Sequence, residues 1–156
     1  MLDMGCGAGA NAILAAQITV VAVDVNPHAV AATAANAERN GVAAKILCIE
    51  SDGFTNVDGD FDVVVIDPPF RWFAPRDLLE RAFADENYEA LGRFFDEVGT
   101  RLRSGGCVLL FFGTSGDVGH LDALITDAGL ESAIVAERTI QVRGEDATYF
   151  VRRITN

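Results

Sequence analysis

The sequence predicts an α/β fold, a doubly wound and mostly parallel sheet in the order 3-2-1-4-5-7-6. Three observations predict the fold class. Strand-like runs of β-branched and small residues alternate with helix-spaced stretches, the mark of a parallel sheet covered on both faces. A glycine-rich turn separates the first strand from the first helix. The last two strand-like runs flank a turn around Gly144 rather than a helix, which makes them an antiparallel hairpin at the sheet edge.

The elements follow in order. Residues 1–4 form a short first strand, and residues 10–17 a short helix after the glycine turn. Residues 19–25 are β-branched and small, as a buried second strand requires. Asn26 then offers an N-cap and Pro27 an N1 residue, and the Ala-rich stretch to about residue 40 is a helix closed by Gly41. Residues 45–49 and 61–66 are the third and fourth strands. Pro68 and Pro69 end the latter, because proline cannot donate to a central ladder. Residues 71–75 are irregular, and helical spacing returns over 77–84 and 88–102 with a break at 85–87. Ser104, Gly105 and Gly106 read as a turn before a fifth strand at 107–112, and residues 117–128 as a helix ended by Gly129. Residues 132–140 and 148–154 make the hairpin.

The 156 residues suit one domain, 1–156, with no repeat or linker. Half are apolar and 22% charged, an ordinary globular balance. No basic stretch precedes an apolar run at the N-terminus, and the longest apolar-leaning run, 12–23, is broken by Gln17 and Thr19 and too short for a bilayer. A cytoplasmic location without membrane association is the expectation. Cys6, Cys48 and Cys107 have no C-x-x-C spacing and read as reduced, structural thiols. His28 and His120 lack ligand partners at helical spacing, so no metal site is expected. Net charge is −11, with 23 acidic against 12 basic residues. That balance leans away from unaided nucleic-acid binding, which normally carries a basic footprint.

Four motifs carry chemistry. In Leu2-Asp3-Met4-Gly5-Cys6-Gly7-Ala8-Gly9 the glycines let the chain turn sharply and let a ligand lie against bare backbone. The spacing also satisfies the dinucleotide fingerprint, so a nicotinamide-dependent oxidoreductase is a competing reading. Asp24 ends the second strand, where a carboxylate accepts from ribose hydroxyls. Asp52, followed by Gly53 after the third strand, is placed to accept from an adenine amino group. Asp67-Pro68-Pro69-Phe70 is the sharpest signal. The prolines fix the backbone and expose the Pro68 carbonyl, and that oxygen with the Asp67 carboxylate makes two acceptors for the two hydrogens of an NH₂ group. Phe70 offers a flat face for a planar substrate. Asp3, Asp24, Asp52 and Asp67 all fall near the carboxyl ends of predicted parallel strands, so the fold places them along one crevice. That crevice suits a cationic ligand better than a pyrophosphate.

On these four motifs, taken in order over essentially the whole chain, the sequence resembles the class I S-adenosylmethionine-dependent methyltransferases. Within them it is similar to the Asn/Asp-Pro-Pro-aromatic group, which includes the HemK-like protein glutamine methyltransferases and ribosomal RNA amino-methyltransferases of the small methyltransferase domain. The resemblance implies a Rossmann-like sheet and S-adenosylmethionine as methyl donor. It implies that Asp3 and the Gly5-Gly7-Gly9 loop hold the donor's methionine portion, Asp24 the ribose, and Asp52 with Gly53 the adenine. Asp67, Pro68 and Phe70 would hold the target nitrogen, as the catalytic set. Such proteins usually carry helices before the first strand; here the motif begins at residue 2, so those helices are expected to be missing. The expected activity is N-methylation of a planar amino or amide nitrogen. A protein or small-molecule acceptor is favoured by the acidic charge and RNA is left open, with Arg71, Phe73 and Arg76 beside the fourth motif as candidate contacts. A catalytically silent partner subunit of the same fold is the non-enzymatic alternative.

Overall fold

The computed structural model describes residues 1–69, 71–142 and 144–156. Seven strands form one sheet: β1 (Leu2–Met4), β2 (Val20–Asp24), β3 (Ile46–Glu50), β4 (Phe61–Ile66), β5 (Leu102–Gly113), β6 (Glu131–Val142) and β7 (Glu145–Thr155). Their order is β3-β2-β1-β4-β5-β7-β6, the expected one. The α-helices among the described residues are α1 (Ala10–Leu14), α2 (Pro27–Arg39), α3 (Glu89–Val98) and α4 (Val118–Asp127). β1 lies parallel between β2 and β4, with Asp3 opposite both Ala22 and Val65. β3 and β5 extend the parallel set, and β7 and β6 close the sheet antiparallel. One rim therefore collects the carboxyl ends of five adjacent strands.

The core lies between the central strands and the helices. Leu2, Val64, Leu110 and Phe112 are fully buried, and Phe94 and Leu121 bring α3 and α4 onto them. Asn26 caps α2 as predicted, its side chain accepting from the His28 N–H at 3.0 Å, with Pro27 opening the helix. Every residue of β6 is exposed. The β6–β7 hairpin also outruns its neighbour. Gly113, the last residue of β5, pairs with Tyr149, and the ladder continues for four more pairs beyond that level, from Thr139–Thr148 to Val142–Glu145.

The structure corrects three element assignments. Residues 77–84 do not form a helix; only Glu80–Ala82 makes a 3₁₀ turn. Leu78, Leu79 and Phe83 are exposed, so no apolar face is buried to stabilise a short helix. Local side-chain bonds take over instead, with Asp77 accepting from the Glu80 N–H at 2.9 Å and Arg76 paired with Glu80. The helix expected over 88–102 ends at Val98, followed by a 3₁₀ turn at Gly99–Arg101, and Leu102 already belongs to β5. Ser104, Gly105 and Gly106 are not a free turn but a bulge inside that strand. A step of two residues along β4 (Phe61 to Val63) is matched by a step of five along β5 (Leu102 to Cys107).

Helix α2 anchors the glycine loop between β1 and α1. The Thr33 hydroxyl donates to the Gly7 carbonyl at 3.1 Å and lies 3.3 Å from Cys6 Sγ, while Asn36 Nδ2 donates to the Ala8 carbonyl at 2.9 Å. The approach is close enough that a Cβ on Gly9 would sit 2.8 Å from Thr33 Cγ2, and Gly9 has φ +84°. Gly9→Ala should therefore lower stability by at least about 2 kcal/mol, from left-handed strain plus overpacking. Combining it with Thr33→Ser removes the clashing methyl and should restore part of the loss, leaving the torsional share. Urea unfolding of the two single variants and the pair tests this; strictly additive losses would contradict the contact.

Candidate active site

The glycine loop is held by two carboxylates as well as by α2. Asp3 was expected on the rim but is buried, 1% exposed. One oxygen accepts from the Ala12 N–H at 3.0 Å and the other from Asn11 Nδ2 at 3.4 Å, so Asp3 ties the first turn of α1 to β1. Burial pushes its carboxyl above the ordinary value of 3.8; nearby Asp24 adds to that push and the bonds from Asn11 and Ala12 oppose it. Asp24, the last residue of β2, accepts from the Gly7 N–H through Oδ2 and from the Asn26 N–H through Oδ1, both at 2.9 Å. A carboxylate has about four lone-pair sites, so two remain for a ligand. Gly5 and Gly7 are exposed, and space above their Cα atoms is open. Backbone is thus bare where Asp24 stands.

On the β3 side, residues 51–56 wrap back on themselves. Ser51 N–H donates to the Asp24 carbonyl at 3.0 Å, and its hydroxyl donates to the Gly53 carbonyl at 2.9 Å and accepts from the Asn56 N–H at 3.0 Å. Phe54 anchors the loop in the core, stacked on Phe94 with centroids 5.7 Å apart. Val25, Glu50, Ser51, Asp52 and Asn56 line a cleft of about 420 Å³. Asp52 is exposed and paired with Arg93 at 3.1 Å, both side chains more than half exposed. Such a pair contributes about 0–1 kcal/mol and yields readily to a competing partner.

On the other side of β1, Asp67 follows β4 directly. It is exposed at the strand end, its carboxylate takes no hydrogen bond from any described residue, and burial of its surroundings raises it above its ordinary 3.8. Pro68 is buried behind it. Phe70, the fourth member of the motif, lies outside the described residues. Asp24, Asp52 and Asp67 therefore sit along one rim, with Asp3 beneath it. Among the described residues no group of three or more His, Cys, Asp or Glu is placed to hold a metal, and no described helix is long and apolar enough to cross a membrane.

Several contributors escaped the sequence reading. Thr33 and Asn36 are polar residues one turn apart in an Ala-rich helix, a legible sign of a face with work to do. Asn11 stands just inside α1 for the same reason. A second cleft of about 570 Å³ opens beyond β5, lined by Trp72, Asn87, Tyr88, Ser115, Asp117 and His120. Its members come from three separate segments, and no short-range spacing announces them. Arg71, Phe73 and Arg76 are exposed beside the fourth motif; none of them lines this cleft.

The model of the methyltransferase small domain matches residues 1–118. The chain is 47% identical over 81 residues to a ribosomal protein L11 methyltransferase of Dechloromonas aromatica, covering 48% of this chain and 26% of that protein. It is 35% identical over 117 residues to a putative protein N5-glutamine methyltransferase of Methanocaldococcus jannaschii, covering 69% of this chain and 58% of that one. The chain thus spans between about a quarter and three fifths of these relatives. Among solved structures, the precorrin-6y C5,15-methyltransferase of Geobacter metallireducens superposes with a TM-score of 0.71 at 18% identity, over 100% of this chain and 78% of that one. The ribosomal protein L11 methylase of Lactobacillus delbrueckii subsp. bulgaricus does so at 0.70 and 18%, over 99% and 69%. These two likenesses concern the fold. With its rim geometry and a family match over residues 1–118, the chain belongs to the methyltransferase small domain family.

Proposed function

We propose that this chain is the catalytic core of an S-adenosylmethionine-dependent N-methyltransferase of the Asp-Pro-Pro-aromatic, HemK-like group. Its acceptor is a planar amino or amide nitrogen, with a protein glutamine favoured over RNA. One observation carries the reading: a bare glycine loop, the Asp24 carboxylate with lone pairs to spare and the Asp67 carboxylate, which takes no hydrogen bond from any described residue, lie on one rim made by β1, β2 and β4. The open space over Gly5 and Gly7 is a cradle that a side chain would fill, which fits a ligand lying against backbone.

Bound S-adenosylmethionine supplies a methyl group already activated by its positive sulfur, so the protein's contribution is proximity and orientation. Asp24 would hold the ribose hydroxyls with the lone pairs left by Gly7 and Asn26, and Asp52 with the Gly53 N–H would hold the adenine. Asp3 acts through Asn11 and Ala12, fixing α1 and hence the loop that receives the methionine portion. The Asp67 carboxylate and the Pro68 carbonyl take the two N–H groups of the acceptor and aim its lone pair. As the nitrogen gains a bond it becomes cationic and sheds a proton, and Asp67, with its raised proton affinity, is placed to receive it. Phe70 supplies the flat face in this scheme. The acidic total charge of −11 favours a protein acceptor over a polyphosphate. Relatives named for ribosomal protein L11 and protein glutamine methylation support a protein acceptor.

Asp67→Ala should lower turnover about a hundredfold or more while leaving donor affinity within about threefold, because proton acceptance and aiming act in the transition state. Single-turnover transfer from labelled donor, with calorimetry of donor binding, checks both halves; unchanged turnover removes Asp67 from the mechanism. Asp24→Ala should instead weaken donor binding by about 1–3 kcal/mol, and an unaltered dissociation constant would take Asp24 out of the site.

The pH dependence has a definite sign. Asp67 must be ionised to accept, and its proton affinity is raised, so the acid limb of turnover should lie above pH 3.8 and vanish in Asp67→Asn. Stability runs the other way. The folded state holds this proton more tightly than the unfolded chain, so the group's stabilising contribution is present below pH 3.8 and lost as pH rises through the elevated value. Rate profiles and urea midpoints of parent and Asp67→Asn across acidic pH check the two trends.

A further inference from the structure

We propose that the cleft formed by Trp72, Tyr88 and His120 recognises a flat ring side chain of a polypeptide acceptor, flanking the residue that is methylated. The proposal rests on Asp67 as the methylation point. Ile66 pairs with Leu110, so Asp67 lies level with Phe111, and Ser115, Gly116 and Asp117 follow β5 on the same rim. This part of the lining thus follows the strand that neighbours the one ending at Asp67, one strand farther from Asp24. At about 570 Å³ it matches a pocket for a small group.

Its walls are built rather than incidental. The rings of Tyr88 and His120 are stacked, with centroids 5.4 Å apart and planes at 24°. The Tyr88 hydroxyl accepts from the Asp117 N–H at 3.0 Å, and the Asp117 side chain accepts from the His120 N–H at 2.9 Å, so the two aromatic walls are tied together through the start of α4. The Asn87 N–H donates to the Trp72 carbonyl at 3.3 Å, bringing the third ring to the mouth, where Trp72 is 68% exposed. Asn87 and Tyr88 are consecutive and both left-handed, φ +53° and +55°, and are the two non-glycine residues with positive φ among those described. Such strain persists where surrounding structure over-determines it, and it concentrates at ligand sites.

The lining selects the occupant. Trp72 and His120 are exposed and offer ring faces to a flat partner, and the buried Tyr88 backs His120. Asp117 is the one charged residue of the lining, and no lysine or arginine lines the cleft among the described residues. Residues 71–88 carry three arginines against four carboxylates, and Arg76 is held by Glu80. A phosphate chain gains nothing here, whereas a neutral or cationic polypeptide does. The same segment is pinned at its base, Arg71 N–H to the Phe83 carbonyl at 2.9 Å and Asp85 N–H to the Arg71 carbonyl at 2.7 Å. It presents Phe73, Leu78, Leu79 and Phe83 as exposed apolar surface beside the cleft, surface that a peptide covers on either side of the anchored ring.

Trp72 is the only tryptophan of the chain, so its emission reports the cleft directly. The probes are acetylated, amidated pentapeptides Ala-X-Gln-X-Ala, with X phenylalanine or glycine, and a mixed-sequence single-stranded hexanucleotide, each added with S-adenosylmethionine present. The phenylalanine peptide should shift Trp72 emission saturably and bind at least tenfold more tightly than the glycine peptide. His120→Ala should abolish that preference, and His120→Phe, which keeps a ring, should retain it. Equal binding of the two peptides, or tighter binding of the hexanucleotide, overturns the proposal. Ring-selective binding without methyl incorporation upholds the cleft and rejects glutamine as acceptor. Methylation of both peptides alike, unaffected by His120→Ala, rejects the cleft and leaves the proposed activity standing.

Discussion

The rim depends on how the backbone between β1 and α1 is held. That loop's shape is imposed from several directions: the Val23 carbonyl takes the Gly5 and Cys6 N–H groups, Asp24 takes that of Gly7, Thr33 and Asn36 of α2 hold the Gly7 and Ala8 carbonyls, and Asp3 fixes the start of α1. Each restraint is a hydrogen bond to backbone, so the loop's amides and carbonyls are positioned without side chains occupying the space above Gly5 and Gly7. The buried Asp3 is the most consequential of the three. A desolvated acid next to another acid is unfavourable in isolation, and its retention is understandable because it joins β1 to α1 across the loop.

Two clefts bracket Asp67 along the strand ends. The one over β2 and β3 is lined by backbone-tied polar groups, and the one beyond β5 by aromatic rings. Division of labour along a sheet edge follows from the topology. On the proposed reading, a donor over β1 to β3 and an acceptor over β4 and β5 would meet at the boundary between β1 and β4, the strand that ends at Asp67. The fold is kept at 18% identity in both superposed structures, which locates the shared requirement in strand register and backbone presentation rather than in most side chains.

Much of this was legible in the sequence because the signals were local. Residues 19–25 and 61–66 are dense in valine, the Asn26-Pro27 start is a capping signature, and Asp24 and Asp67 sit where strands run out. Asp3 was located correctly on its strand, but whether its carboxylate faced solvent or α1 depended on Ala12 folding back over it, nine residues away. The stretch 77–84 has helical spacing yet no partner to bury Leu78, Leu79 and Phe83, and spacing carries no information about partners. Gly105 and Gly106 look like a turn because a bulge uses the same residue types. The aromatic cleft was invisible for a topological reason: Trp72, Tyr88 and His120 meet only once β5 has taken its place beside β4.

The overhang of the β6–β7 hairpin has a consequence for approach. Four residue pairs beyond the level of Gly113 amount to about 13 Å of ladder at the usual rise of a strand. That is a fence on the far flank of the rim, standing past the aromatic cleft. On the proposed reading, this ladder would screen a sideways approach across β5 and leave the side of residues 71–88 for a bulky acceptor. Trimming the fence would open a second direction of entry without touching a single group along the strand ends.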